Sequence, residues 1–272
     1  MDKAASIFTI LLSTLLGAVV GSFVNVVASR VPEGLSLIRP RSRCPNCLSP
    51  IAPYDNVPVL SYVLLRGRCR YCGWRIPARY PITELCSSLG YLTIFWKLWL
   101  GERRLPMAVL AAVAFPVLLS VAVVDLETRR IPRPIVFAGL AFCVPVGIAS
   151  AIFEGRGAAV WVGLAGALAL WLSLFLIHEL NPTWMGFGDV RYALFLGWTL
   201  GIFGARNILV ALMIAVASGS LVGMSMIALG KGRFGQALPF GPFLSLGAFV
   251  SMIWGSEIAA WYLRLIGLGA FS

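Results

Sequence analysis

Asp125 and Asp189 are the residues of this 272-residue chain whose type and placement point most directly to chemistry. Asp125 closes the apolar run Val117–Val124, and Asp189 stands in MGFGDVR (185–191), where an apolar, glycine-rich run resumes. An ionisable group set against a membrane-length apolar run is costly, and its default reading is functional. With only 11 Asp and Glu in the chain the search is exhaustive. The others fall in loops, at the chain start or near span ends, where solvation or a helix terminus accounts for them.

Two close carboxylates do not both ionise easily and tend to share one proton. The ionised member can take a proton from a water attacking a peptide carbonyl. The protonated member hydrogen-bonds the carbonyl oxygen and later assists the departing amine. That is aspartic peptide hydrolysis, and it requires neither a covalent intermediate nor a catalytic metal. Gly186 and Gly188 permit backbone torsions and close approaches that a Cβ forbids, so an extended peptide could lie beside Asp189. Taken alone, the same G-x-G-D stretch also reads as a flexible loop in which Asp189 caps the following helix.

A second set is formed by four cysteines. Cys44-Pro45-Asn46-Cys47 is followed after 21 residues by Cys69-Arg70-Tyr71-Cys72. Two C-x-x-C pairs at this separation match a four-thiolate tetrahedral zinc site, each pair forming one knuckle. Two disulfides are the competing reading, and a cytoplasmic placement, where thiols stay reduced, favours zinc. Cys86 and Cys143 lie inside apolar stretches and read as packing residues. Arg39, Arg41, Arg43, Arg66, Arg68, Arg70, Arg75 and Arg79 surround the knuckles and could hold anionic lipid headgroups or a polar substrate segment. His178, the single histidine, reads as an interfacial capping residue.

The elements that must position these groups follow from composition. The chain is 59% hydrophobic and 12% charged, against roughly 25% charged in soluble domains, and it reads as a polytopic membrane protein. About eight stretches approach the ~20 residues that cross a bilayer: Ser6 to Ala28, Ile82 to Leu100, Met107 to Val124, Ile135 to Phe153, Ala159 to Ile177, Tyr192 to Phe203, Ile208 to Leu229 and Phe243 to Leu265. The sixth, interrupted by Gly197, Gly201 and Gly204, carries the weakest signal. The first is longer than a signal-peptide core and reads as an uncleaved span.

The expected fold class is therefore an all-α polytopic membrane protein with a small cytoplasmic zinc-ribbon-like insertion between helices one and two. The expected organisation is a first transmembrane helix over 1–29, a short-stranded zinc-binding loop domain over 30–80, and a membrane catalytic domain over 81–272. A formal charge of +11 would suggest nucleic acid in a soluble domain. Here most Lys and Arg fall between spans one and two and after spans three, five and seven. The positive-inside rule makes those segments cytoplasmic and puts both termini outside. No nucleic-acid partner is expected.

Taken together, these residues resemble the bacterial type IV prepilin peptidase family, membrane aspartic proteases of the G-x-G-D class. The resemblance rests on GSFVNVVASRVP (21–32), the double C-x-x-C loop, RYPITEL (79–85), VD (124–125) with IP (131–132) beyond, GFGD (186–189) and PFGPF (239–243), in the family's order. It implies that Asp125 and Asp189 are the catalytic pair and that Cys44, Cys47, Cys69 and Cys72 bind zinc. It further implies removal of short basic leader peptides from prepilins or pseudopilins at the cytoplasmic face of the bacterial inner membrane, with cleavage after Gly. Many members then N-methylate the new amino terminus with S-adenosylmethionine.

Two positions depart from the family's pattern. Arg133 stands where Asp is common, and Arg191 where Lys is common; Arg for Lys keeps the charge but changes the hydrogen-bonding geometry. Arg133 reverses a charge and bears on substrate preference more than on the basic chemistry. No Gly-rich loop of the dinucleotide-binding kind marks a methyl-donor pocket. The GSFVNVVASRVP stretch and the cysteine loop both read as candidate walls for it. The alternative function is a proton- or cation-coupled transporter, with zinc only stapling the loop.

Overall fold

The computed structural model describes residues 3–182, 185–231 and 238–267, and every regular element within them is helical. The chain divides into two compact units, 1–102 and 103–272.

In the first unit α1 (Lys3–Arg30) packs along α3 (Arg79–Ile94), which continues as a π-helical segment through Phe95–Gly101. α1 is apolar nearly all round, and α3 turns Ile82, Leu85 and Leu89 outward while burying Thr83, Glu84, Ser87 and Ser88, so large apolar side chains do not select the contact face. Small residues do. A Cβ on Gly17 would lie 2.7 Å from Ser87 O, and one on Gly21 would lie 2.7 Å from Glu84 Cα. The spacing of Gly17 and Gly21 is the small-xxx-small pattern that lets helix backbones meet in a membrane. The large residues Ile7, Phe8, Leu11 and Leu15 are left on the outer face of α1.

Between these helices, residues 31–78 form two knuckles and the short helix α2 (Leu60–Leu64). The expected short-stranded ribbon is replaced by two isolated bridges, Arg43 with Pro50 and Arg68 with Arg75, and no strand occurs among the described residues. Each knuckle reverses so tightly that one bridging pair closes it. In the first, Pro45 and Pro50 also lack the N–H that a longer ladder would need.

The second unit holds α4 (Leu105–Thr128), α5 (Arg133–Phe153), α6 (Ala158–Leu180), α7 (Phe187–Phe203), α8 (Ala205–Ala228) and α9 (Gly241–Leu265). Its centre is α7, which packs on α5, α6, α8 and α9 and buries Tyr192, Phe195, Leu200 and Ile202 completely. The glycines that weaken its signal in the sequence are contact surface. A Cβ on Gly197 would run into Gly166 O of α6, and one on Gly201 would lie 2.7 Å from Gly163 Cα.

Among the described residues six helices, α1, α4, α5, α6, α8 and α9, are long and apolar enough to cross a membrane. The other two expected spans correspond to α3, 16 residues before its π-helical extension, and to α7, 17 residues. For α7 the physical reason is its ring of neighbours. A helix enclosed by protein takes its environment from side chains, and hydrocarbon thickness does not dictate its length.

Candidate functional site

Asp125 sits in the last turn of α4 and is 5% exposed. Its Oδ2 accepts the backbone N–H of Gly241 at 2.9 Å. Gly241 opens α9, so this N–H is one of the donors a helix leaves unpaired at its start, at the positive end of its dipole. The approach depends on glycine, because a Cβ there would stand 2.8 Å from Asp125 Oδ2. Arg129, in the left-handed conformation at φ 53°, ends α4 and donates its N–H to Asp125 O at 2.9 Å.

Asp189 is the third residue of α7, and the cap position belongs to Gly186, whose backbone is extended. The Asp189 N–H donates to Gly186 O at 3.0 Å. The capping role open in the sequence is thus not the one Asp189 plays. Its Oδ1 is buried without a hydrogen-bond partner, an arrangement that native proteins rarely leave unanswered. Asp125 bonds to the first residue of α9, and one turn further along α9 Ser245 bonds to Tyr192, one turn beyond Asp189, so both carboxylates stand at the same end of the bundle.

The two loop glycines divide their work. The Cβ position of Gly186 lies 3.3 Å from Asp189 Oδ2, so a side chain there would crowd the carboxylate. That of Gly188 lies 3.0 Å from Ile131 Cβ, so Gly188 packs the start of α7 against the segment joining α4 to α5. This contact helps bring the two aspartates to one end of the bundle.

Three further features surround the pair. One turn beyond Asp189 and Gly241, Tyr192 Oη and Ser245 Oγ hydrogen-bond at 2.8 Å and tie α7 to α9. The His178 Nδ1–H donates to Met185 O at 2.8 Å, and its ring meets Phe187, so the end of α6 holds the G-x-G-D loop. Arg191 lies over the Phe187 ring at 4.8 Å. Sequence reasoning noted PFGPF as a motif but missed the role of Gly241, since every residue except proline carries an N–H. The flanking Pro239 and Pro242 were the available signal of a constrained helix start.

In the first unit, the four sulfurs of Cys44, Cys47, Cys69 and Cys72 all lie within 4.8 Å of one another, with Cys44 and Cys72 at 3.8 Å. Tetrahedral zinc with Zn–S near 2.3 Å places its sulfurs about 3.8 Å apart, so the donor set fits that ion. The knuckles are built alike. Cys44 N–H donates to Ser49 O at 3.0 Å and Cys69 N–H to Trp74 O at 2.8 Å. Leu48 and Gly73, each four residues after the leading cysteine, both take positive φ.

Local hydrogen bonds prepare thiolates. The Ser49 hydroxyl and N–H pull Cys47 down to about 6, and the N–H groups of Cys72 and Tyr71 lower Cys69. Burial pushes Cys44 up to about 11, and a cation at the centre opposes that. Asn46 Nδ2 donates to Cys72 Sγ at 3.6 Å. Arg70, inside the second knuckle, grips Asp55 with two hydrogen bonds of 2.8 and 2.6 Å.

Comparison with known proteins covers both units. Residues 15–98 match the family described as the bacterial peptidase A24 N-terminal domain, and residues 112–227 match the type IV leader peptidase family. A Pseudomonas putida protein named prepilin leader peptidase/N-methyltransferase is 32% identical over 96% of this chain and 96% of its own length. A protein of the same name from Burkholderia pseudomallei (strain K96243) is 35% identical over 93% of this chain and 86% of its own. One from Bacillus subtilis (strain 168) is 29% identical over 92% of this chain and 96% of its own. No solved structure matches the chain significantly.

Proposed function

Because this chain belongs to the type IV leader peptidase family, we propose that it is a membrane aspartic endopeptidase that removes the basic leader of prepilins or pseudopilins. Cleavage follows a Gly at the cytoplasmic face of the bacterial inner membrane, and N-methylation of the new amino terminus follows it. What supports this reading is the presence at the same end of the bundle of Asp125, anchored by the Gly241 N–H, and Asp189, whose Oδ1 has no partner. Family membership leaves the transporter reading without support.

In the proposed mechanism the two aspartates hold one proton between them. The ionised carboxylate takes a proton from the attacking water. The other donates to the scissile carbonyl oxygen as the tetrahedral intermediate forms, and a proton then passes to the leaving nitrogen. The Gly241 N–H stabilises whichever charge rests on Asp125 and keeps that carboxylate from turning away. The side of Asp189 that faces Gly186, where no Cβ intervenes, receives the substrate backbone.

Cys44, Cys47, Cys69 and Cys72 would hold the zinc. It supplies the stability that a loop of fewer than fifty residues cannot draw from its own core, and it takes no part in hydrolysis. The methyl donor for the second reaction is S-adenosylmethionine. In this reading the membrane segments number eight, α3 and α7 among them, both termini lie outside, and the positive-inside rule puts the aspartates and the zinc loop on the cytoplasmic side. Partners are the substrate helices and membrane lipids.

The test is leader removal by Asp125→Asn and Asp189→Asn, each purified and shown to melt and bind metal like the parent. Each is expected to lose activity by at least about a thousandfold, as for loss of a proton-transfer group acting with electrostatic stabilisation. Cleavage at the parent rate by either variant would sink the reading.

A further inference from the structure

The two aspartates stand on α4 and α7, and these helices touch each other only sparsely. Both also pack on α9, α4 along a broad contact and α7 along a narrow one. The separation of the carboxylates is therefore set through third helices, and on the α9 side two hydrogen bonds carry it. Asp125 Oδ2 accepts the Gly241 N–H at 2.9 Å, and Tyr192 Oη and Ser245 Oγ meet at 2.8 Å. Tyr192 follows Asp189 by three residues and Ser245 follows Gly241 by four, so on each helix the two members share a face. The path from Asp125 through Gly241, Ser245 and Tyr192 to Asp189 runs about one turn, ~5.4 Å, along each helix.

The hydroxyls at this depth have no other use. Tyr192 is fully buried and Ser245 is 5% exposed, and among the described residues neither hydroxyl has a second partner. In an apolar interior an unpaired hydroxyl is costly, so the pair is satisfied in one arrangement of the two helices. Two apolar side chains would fill the same space without fixing a direction. The Tyr192 ring is held separately, stacked on Phe195 of its own helix with centroids 5.9 Å apart. Ring and hydroxyl thus divide their work: the ring packs α7, and the hydroxyl locks α7 to α9.

We propose that Tyr192 and Ser245 are positioning residues for hydrolysis, their hydrogen bond fixing where Asp189 stands against Asp125. This rests on the reading of the two aspartates as the cleaving pair. Asp189 Oδ1 has no partner of its own, so its placement depends all the more on the helix that carries it. Groups that act together must be held closely, and a misplacement of about 1 Å costs about a hundredfold in rate. A hydrogen bond confines its heavy atoms to a range of a few tenths of an ångström, which a narrow apolar contact does not.

The test compares Tyr192→Phe, Ser245→Ala and the double variant as full-length, zinc-loaded protein in detergent, with kcat and KM for prepilin cleavage measured separately. In Tyr192→Phe the Ser245 hydroxyl can turn to Gly241 O, as Ser173 does to Ala169 O and Ser225 to Leu221 O, so the fold is retained. Ser245→Ala strands the Tyr192 hydroxyl. The double variant removes both partners, which leaves nothing unsatisfied and keeps the test available if a single variant does not fold. A fall in kcat of at least tenfold is expected, by the same factor in all three, with KM within twofold of the parent because neither hydroxyl reaches the surface. A merely structural bond would lower the melting temperature and leave the folded protein with the parent's kcat. That result, or a change in KM alone, overturns the proposal and leaves the peptidase reading intact. Losses that add in the double variant show two independent roles and overturn it as well. A parent protein that cleaves no prepilin overturns the peptidase reading beneath it.

Discussion

Gly241→Ala isolates the contact between α9 and the aspartate pair. Alanine is the better helix former by about 0.8–1.0 kcal/mol in a helix interior, so the substitution does not weaken α9 itself. Its methyl, however, would lie 2.8 Å from Asp125 Oδ2 and 3.2 Å from Asp125 Cγ, and the carboxylate has little free space at 5% exposure. The carboxylate must turn, and the 2.9 Å hydrogen bond from the Gly241 N–H is lost or lengthened. A hydrogen bond to a charged group contributes about 1.5–3 kcal/mol, which at 1.36 kcal/mol per decade is roughly a ten- to hundredfold fall in kcat. The assay is single-turnover cleavage of a prepilin by purified enzyme, with KM measured separately, since the contact involves no substrate. Gly219→Ala serves as the control, because a methyl there meets Phe243 at an ordinary 3.4 Å. Cleavage by Gly241→Ala within twofold of the parent, at unchanged melting temperature, would refute the proposed role of the α9 N-terminus.

Zinc analysis of purified protein should find one ion per chain, and Cys44→Ser or Cys72→Ser should lose it together with the loop's thermal stability; retention of zinc in both variants would contradict the four-thiolate site. Two hydrogen bonds and the charge of Arg70 hold the Asp55 carboxyl below its ordinary range. Its stabilisation is therefore full above the unfolded value near 3.9 and is lost as pH falls through the lower folded value. The melting-temperature gap between parent and Asp55→Asn should accordingly close on acidification below about pH 4, and a constant gap would show that the pair contributes nothing. Gly21→Leu should force α1 and α3 apart, since even a Cβ there would lie 2.7 Å from Glu84 Cα. A loss of several kcal/mol, on the order of other overpacked contacts, should appear in denaturant melts, and an unchanged midpoint would argue against this crossing.

What could be read from the chain depended on whether the signal was local. Asp125 and Asp189 stand out because a carboxylate against an apolar run is rare and costly, and the cysteine spacing encodes knuckle geometry within a few residues. Both properties belong to residue type and short-range order, so they were legible. The glycines of α7 were misleading for the same reason. As local signals Gly197 and Gly201 weaken a helix, and only the backbones of α6 brought against them show that they are contact surface. The strands expected in the cysteine loop failed because each knuckle closes on a single bridge.

The sequence by itself determined a helical membrane protein, the family resemblance, the aspartates and the four thiols. Tertiary structure alone decided which backbone donor meets which carboxylate. Gly241 reaches Asp125 across 116 positions of chain, and Asn25 is left with an unanswered oxygen because Tyr80 supplies an acceptor for its amide nitrogen and nothing nearby supplies a donor. An N–H or an amide oxygen looks the same at every position in a sequence. Its partner is chosen by packing, which is a property of the whole fold.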